Sequence, residues 1–453
     1  ADVAGEAIAY TSPNGLIERC VRIAPLPGAH YSKHDRKEEQ DFCELDVHRL
    51  ALCPKLWSTS PGTILYDIGK DVTADDILAW EAQHCGEGHH AKQSAKHKPA
   101  VFKISVNARD TSATYAPSSW IYYHLSRFLH AQVHVPVSVY RSMDAAAHHE
   151  RVVSRGLELT GNKRSLRMLN GGWRFLDEVE TGAGSNTAAL TDDGRQVFGV
   201  LIDNDGDRYG PEINGTRESG WGSGQNYDFQ QTAPFLALRD PAPVAEAART
   251  AVHEARKNPR MARALSADTP LEQVVFWMQD VLEITLLDYV LGQQDRIGNI
   301  DYLWRWYWIE DGKLESKPAH GYEPPEKLRA FEPVRLQRSA INDNDAGVRR
   351  GYANFARSTS MLDGLRHFHP GLYQRLGRLA ADLSAAGPAY AWLTGPAGLG
   401  TREADAITQR TVEAFEKLSG DCRSGQLALD LDPAAFLGAD PDPSPRNCDI
   451  TLQ

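Results

Sequence analysis

The stretch VLGQQDRIGNID, residues 290–301, follows directly on one of the longest apolar runs in the chain, VVFWMQDVLEITLLDYVL. The run reads as a helix. Thr269 is placed as its N-cap, Pro270 at the first position and Glu272 where it caps back. Gly292 is the natural stop, so the helix is expected to end at Leu291. Its second half is apolar nearly all round and is therefore buried. Asp295, Arg296 and Asn299 then stand on a short glycine-bearing loop at the mouth of a core helix. Polar groups in that position need a partner or a job.

Downstream, YLWRWYWIEDGKLES alternates large aromatics with other residues and turns at Asp311-Gly312, the pattern of a hairpin. A loop of about twenty residues leads to SAINDNDAGV (339–348), an acidic turn at a strand end. Helices are expected near 359–367, 370–385 and 402–418, followed by an extended tail, GADPDPSPRNCD.

Upstream, residues 1–60 read as irregular, with KHDRKEEQD lying in water. GTILYDI and AVFKISV read as strands, APSSWIYYHLSRFLHAQ (116–132) as a helix begun by Pro117, and VHVPVSVYR (133–141) as a strand. A polar helix is expected at about 144–159. Residues 171–224 hold 12 glycines and read as turn-rich, with short strands such as QVFGVLI. In DNDGDRYG, Asp203, Asp205 and Asp207 alternate as in a calcium loop. Arg208 and Asn214 stand where an EF-hand needs glycine and glutamate, so a hairpin turn is the simpler reading. His84, Cys85, His89 and His90 are zinc-ligand types, but their spacing closes no four-ligand pattern and a solvated loop is expected.

Composition narrows the class. The chain has 453 residues, a net charge of -11, 42% hydrophobic and 24% charged residues. The acidic balance argues against nucleic acid or an anionic membrane as main partner. Asp280, Glu283 and Asp288 break the best apolar run, so no membrane span is expected. Six cysteines, four before residue 86 and two near the end, suit disulfides of an exported, secreted or periplasmic protein. Their pairing stays open among 15 possibilities. The opening ADVAGEAIAY has the small residues left by leader cleavage, or is simply a boundary.

The order in the second half is a buried helix, a D-x-x-x-N loop, a hairpin and an acidic turn. Phosphoryl transfer needs such a kit. One carboxylate orients the attacking hydroxyl, while an amide and a second carboxylate hold a cation against the phosphates. A strand lysine in the other lobe, Lys103 of VFKIS, would neutralise the phosphates.

These stretches resemble the atypical kinases of the secretory pathway, the group of the Golgi casein kinase and Four-jointed. LLDYVLGQQDRIGN resembles their helix and catalytic loop, INDNDAGV their metal-binding turn, and YHLSRFLHAQVHVPVSVYR their helix-and-strand stretch. The match covers about 100–141 and 270–375. The resemblance implies an α+β, two-lobed protein-kinase-like fold: a small β-rich N-lobe with a glycine-rich insertion, and a mostly helical C-lobe. In that division residues 1–60 are a disulfide-bearing segment, 61–245 the N-lobe, 246–440 the C-lobe and 441–453 a tail. Asp295 would be the catalytic aspartate, Lys103 the phosphate lysine, and Asp343, Asp345 and Asn299 the metal residues, with ATP and magnesium or manganese as cofactors. Ser119 stands where the group's first-lobe helix carries a glutamate, and Glu178 or Glu180 is the candidate to replace it. Ile297 stands where a histidine commonly follows Asp-Arg, and YDIGKDV has a single glycine where a phosphate loop is sought.

The expectation is a phosphotransferase acting on a hydroxyl of an exported protein or glycan. Two alternatives belong to other classes. One is a pseudokinase that binds a partner or scaffolds an assembly. The other is a secreted calcium- or carbohydrate-binding protein using Asp203, Asp205 and Asp207 or the aromatic strands.

Overall fold

A computed structural model describes residues 5–86, 90–108, 111–161, 163–182, 190–191, 193–439 and 447–449. Seven antiparallel strands form the sheet of the N-terminal half: β1 (Gly5–Thr11), β2 (Ile17–Ile23), β3 (Ala51–Pro54), β4 (Thr63–Asp67), β5 (His97–Ile104), β6 (Ser138–Asp144) and β7 (Gln196–Ile202). Their order is β1-β2-β6-β7-β5-β4-β3. β7, the apolar QVFGVLI, lies between β5 and β6 and so is buried on both edges. Gly199 pairs with Ile104, and a Cβ there would overlap the carbonyl of Lys103. Only glycine lets the two backbones meet at the lysine.

Residues 1–60 were expected to be irregular; among them, 5–60 instead hold strands and helices. β1 and β2 form a hairpin added to β6 through Cys20↔Arg141 and Val21↔Tyr140. KHDRKEEQD lies within the helix Lys33–Glu44, capped by Ser32 and Asp35. Its Asp35 and Glu39 are buried, because they receive Arg127 at 2.8 Å and the Tyr123 hydroxyl at 2.8 Å. The helix Pro117–Leu129 is thereby held from the N-terminal side. From the other half, Tyr122 donates to Asp288 at 2.8 Å and Arg375 to the Leu129 carbonyl at 2.6 Å.

The second half is helical around Leu271–Leu291, in which Gln273–Leu291 are all buried. Gly292 ends it in the left-handed conformation, φ 72°. The start differs from expectation: Thr269 gives its hydroxyl to Ser266, and Pro270 occupies the cap position without a side-chain bond. Each acid in the apolar run has a structural partner. Asp280 accepts the Ser339 amide at 2.8 Å, Glu283 the Val133 amide at 2.7 Å, and Asp288 the Arg296 guanidinium. Burying a carboxylate is tolerated only with such partners.

A smaller sheet covers this helix. β8 (Asp207–Arg208), β9 (Asp301–Glu310), β10 (Lys313–Pro318) and β11 (Val334–Ala340) meet on β9. The β9–β10 turn is Asp311-Gly312, both at positive φ, as a two-residue hairpin demands. β11 emerges from the stretch read as a long loop. His134 bridges to the same strand, its amide donating to Ser339 at 2.8 Å, so the two halves are joined by backbone as well as side chains.

Three further expectations change. DNDGDRYG is not a hairpin: Asp207-Arg208 pairs with Tyr302 and Asp301 of β9 instead. The glycine-rich segment begins inside a helix, Arg167–Glu180, where Gly172 lets the helix pack on Pro61. Residues 359–367 form turns after the single-turn helix Phe355–Ser358. Cys85 is not a zinc candidate, because it is bonded to Cys53; His89 and the His90 side chain lie outside the described residues. The other disulfides are Cys20–Cys43 and Cys422–Cys448, so no cysteine is free. Among the described residues no helix is long and apolar enough to cross a membrane.

Candidate active site

β3, β4 and β5 are three successive antiparallel strands, and Lys103 stands on the third. Its side chain is buried and crosses to the other half. Nζ donates to Asp343 Oδ1 at 2.6 Å and lies 3.4 Å from Asp345 Oδ2. Burial works against the ammonium, but Asp343 and then Asp345 more than compensate and hold its pKa above the usual lysine range. Asp343 is desolvated too, yet Lys103 and Lys55 hold its carboxyl well below the usual carboxylate range. Asp345 moves the other way: burial and the charge of Asp343 outweigh Lys103 and raise it.

Asp295 stands on the loop after Gly292. Burial first, and the charge of Asp343 second, push its carboxyl up to about 6, against a hydrogen bond from Trp221. That bond runs from Trp221 Nε1 to Asp295 Oδ1 at 3.4 Å. The loop and the acidic turn are laced together. Gln294 N donates to Ala346 O at 3.0 Å and Val348 N to Leu291 O at 2.6 Å. Gln293 accepts the Asp295 amide and donates to the Asp343 carbonyl. Arg296 spans three elements: it holds Asp288 through two nitrogens, donates to the Asp343 carbonyl at 3.2 Å and reaches Asn344 Oδ1 at 2.7 Å.

Lys103, Asp343 and Asp345 are therefore brought together, and Asp295 lies within their electrostatic reach. The Asn299 side chain is engaged elsewhere. It donates to the Asp295 carbonyl at 2.9 Å and accepts from Arg208 at 2.8 Å, bracing the loop. Glu180 does not replace the acid absent at Ser119. It pairs with His148 at 2.7 Å, and the same imidazole meets Thr63, while Glu178 is exposed. The counter-charges of Lys103 come from the acidic turn instead.

Sequence reading missed four residues of this site. Lys55, Arg208 and Trp221 gave no periodic signal, although an indole between Gly220 and Gly222 was a hint. Asp301, which receives Arg208 and the Asn342 amide, closed the quoted loop stretch without being given a role.

Magnesium prefers oxygen donors and commonly takes one or two carboxylates plus substrate phosphates rather than an all-protein cage. Asp343 and Asp345 fit that habit. No group of three or more His, Cys, Asp or Glu arranged to hold a metal occurs among the described residues, and this includes Asp203, Asp205 and Asp207.

The architecture is mixed α/β: an antiparallel sheet in the N-terminal half is followed by a helical half, with the charged cluster between them. Thirteen chains among solved structures match. One is the crystal structure of the Golgi casein kinase with Mn/ADP bound, at 12% identity and a TM-score of 0.44, covering 86% of this chain and 77% of that one, a distant likeness in fold. No family model and no curated protein matches the chain.

Proposed function

We propose that the chain is an ATP-dependent phosphotransferase that acts outside the cytosol on a hydroxyl of a protein or glycan. The observation that carries this reading is the ion pair from Lys103 of the sheet to Asp343 of the helical half, with Asp295 within electrostatic reach of Asp343. Lys103 would neutralise phosphate oxygens. Asp343 and Asp345 would hold a divalent cation, which when bound neutralises charge on the phosphates. Asp295 is the base: its raised pKa keeps it strong enough to take the hydroxyl proton near neutral pH. The acceptor oxygen gains the phosphorus, the diphosphate leaves with the electron pair of the broken P–O bond, and the proton goes to Asp295. Arg296 fixes the loop against the acidic turn so that base and cation site keep their spacing. The three disulfides support an oxidising compartment.

A second reading is a pseudokinase that binds nucleotide without turnover. The engagement of Asn299 with Arg208 favours it, because a kinase amide at this point would face the cation. ATP turnover and manganese-dependent nucleotide binding decide between them, measured for the chain and for Asp295→Ala and Asp343→Ala. Turnover lost in both variants supports the transferase. Binding without turnover in the unaltered chain supports the second reading, and turnover unchanged in both variants removes the site.

A further inference from the structure

Lys55 is the first residue after β3 and begins the eight-residue connection KLWSTSPG to β4. It is 8% exposed. Among the described residues its ammonium has neither a hydrogen bond nor an ion pair, although Asp343, Lys103 and Asp345 all act on it through space. The two acids are already paired with Lys103. Burying a charge without a partner costs several kcal/mol, so a lysine kept in this state for structure alone is unfavourable. Burial accordingly depresses its pKa.

The connection itself explains what the lysine is for. In protein kinases a glycine-rich loop in the first hairpin covers the phosphates. Here the corresponding hairpin has one glycine in the connection, Gly62, and Pro61 has no N–H. The Ser60 amide is taken by Ser58 Oγ at 3.3 Å and the Lys55 amide by Gly62 O at 2.8 Å. Pro61 is wedged against Gly172, where a Cβ would collide with it. Cys53, two residues before Lys55, is tied to Cys85. The hairpin is thus tied down at Cys53 and Pro61, and its register lays the Lys55 side chain across Gly62, next to the strand that carries Lys103.

We propose that Lys55 is a phosphate ligand of the donor nucleotide, a buried lysine without a bonded partner in a hairpin whose connection holds one glycine. The assignment rests on the phosphotransferase reading for the identity of the donor, but not for the anion site. A second lysine laid next to the strand of Lys103 gives the site two amine groups, from adjacent hairpins, with different reach.

The test compares the full-length chain with Lys55→Met and Lys55→Arg by thermal shift and titration, using ATP and tripolyphosphate, each with manganese. The unaltered chain is expected to bind both. Lys55→Met is expected to lose roughly tenfold or more in affinity for each, the scale of a lost charge-assisted bond, and Lys55→Arg to keep part of it. Without ligand, Lys55→Met is expected to remain folded and to melt cooperatively, because it loses no hydrogen bond or ion pair and only the through-space attraction of Asp343 and Asp345. A lower melting point with unchanged affinities would make Lys55 structural and overturn the proposal. So would failure of the unaltered chain to bind either probe. Tripolyphosphate binding that depends on Lys55, without any ATP binding, keeps the anion site and sinks the nucleotide reading. ATP binding lost in Asp343→Ala but intact in Lys55→Met does the reverse.

Discussion

Lys103 and Asp343 are 240 positions apart in the chain and 2.6 Å apart in space. One ammonium on a strand faces two carboxylates on a turn, and the pair closes the gap between the halves. Replacing Asp343 with Asn is expected to abolish manganese-dependent nucleotide binding while leaving a folded protein, since Asp345 remains beside the lysine. Calorimetric titration with manganese and ADP reads the first outcome and circular dichroism the second. Retained metal-dependent binding in this variant would place the cation elsewhere.

The raised carboxyl of Asp295 sets a pH profile. A base must be deprotonated, so turnover is expected to rise with pH through about 6 and then level. The Trp221 bond lowers this pKa. Trp221→Phe, which keeps a ring and removes the N–H, is expected to move the limb to higher pH. A limb that stays in place shows that the indole does not touch the titrating group.

Arg296 links the central helix, the loop and the acidic turn. Arg296→Met leaves Asp288 buried without its main partner, and a loss of about 3–5 kcal/mol is expected from such a half-deleted pair. Urea unfolding measures it. Lysine is not expected to rescue the loss, because it cannot make the two-nitrogen contact.

Glu283 in the central helix is pushed up to about 7 by burial. Between the ordinary glutamate range and that value the folded protein keeps a proton that the unfolded chain releases. Stability carried by this group is therefore full at low pH and falls as pH rises through the window. Melting points at pH 5 and pH 8 are expected to differ less in Glu283→Gln than in the unaltered chain. Equal differences in both would assign the pH dependence to other groups.

Cys53–Cys85 joins residues 32 apart and steadies the hairpin that carries Lys55. Closing a loop of that size stabilises by about 3–4 kcal/mol in the chain-entropy account. Replacing both cysteines with alanine is expected to lower the melting point. It is also expected to weaken tripolyphosphate binding, an effect that a remote crosslink would not have.

What the sequence revealed follows from how local each signal is. The central helix, its glycine stop and the Asp311-Gly312 turn depend on neighbouring residues, and they stand where expected. Lys103 and the acidic turn were nominated by residue chemistry in order along the chain, Asp343 and Asp345 within that turn by the family resemblance, and the structure brings the three together. The β1–β2 hairpin was not legible because its strand character depends on β6, more than a hundred residues away. The helix Arg167–Glu180 was hidden by Gly171 and Gly172, whose cost is offset by the packing of Trp173 and Pro61. Asn299 misled for a related reason: an amide at the right spacing says nothing about an arginine that arrives from β8 to claim it.

The helix Pro117–Leu129 is riveted at Tyr122, Tyr123, Arg127 and the Leu129 carbonyl, by partners from both halves. A part bolted at four points has no stroke of its own, so any shift of the sheet against the helical half has to break one of these contacts or carry the whole helix along.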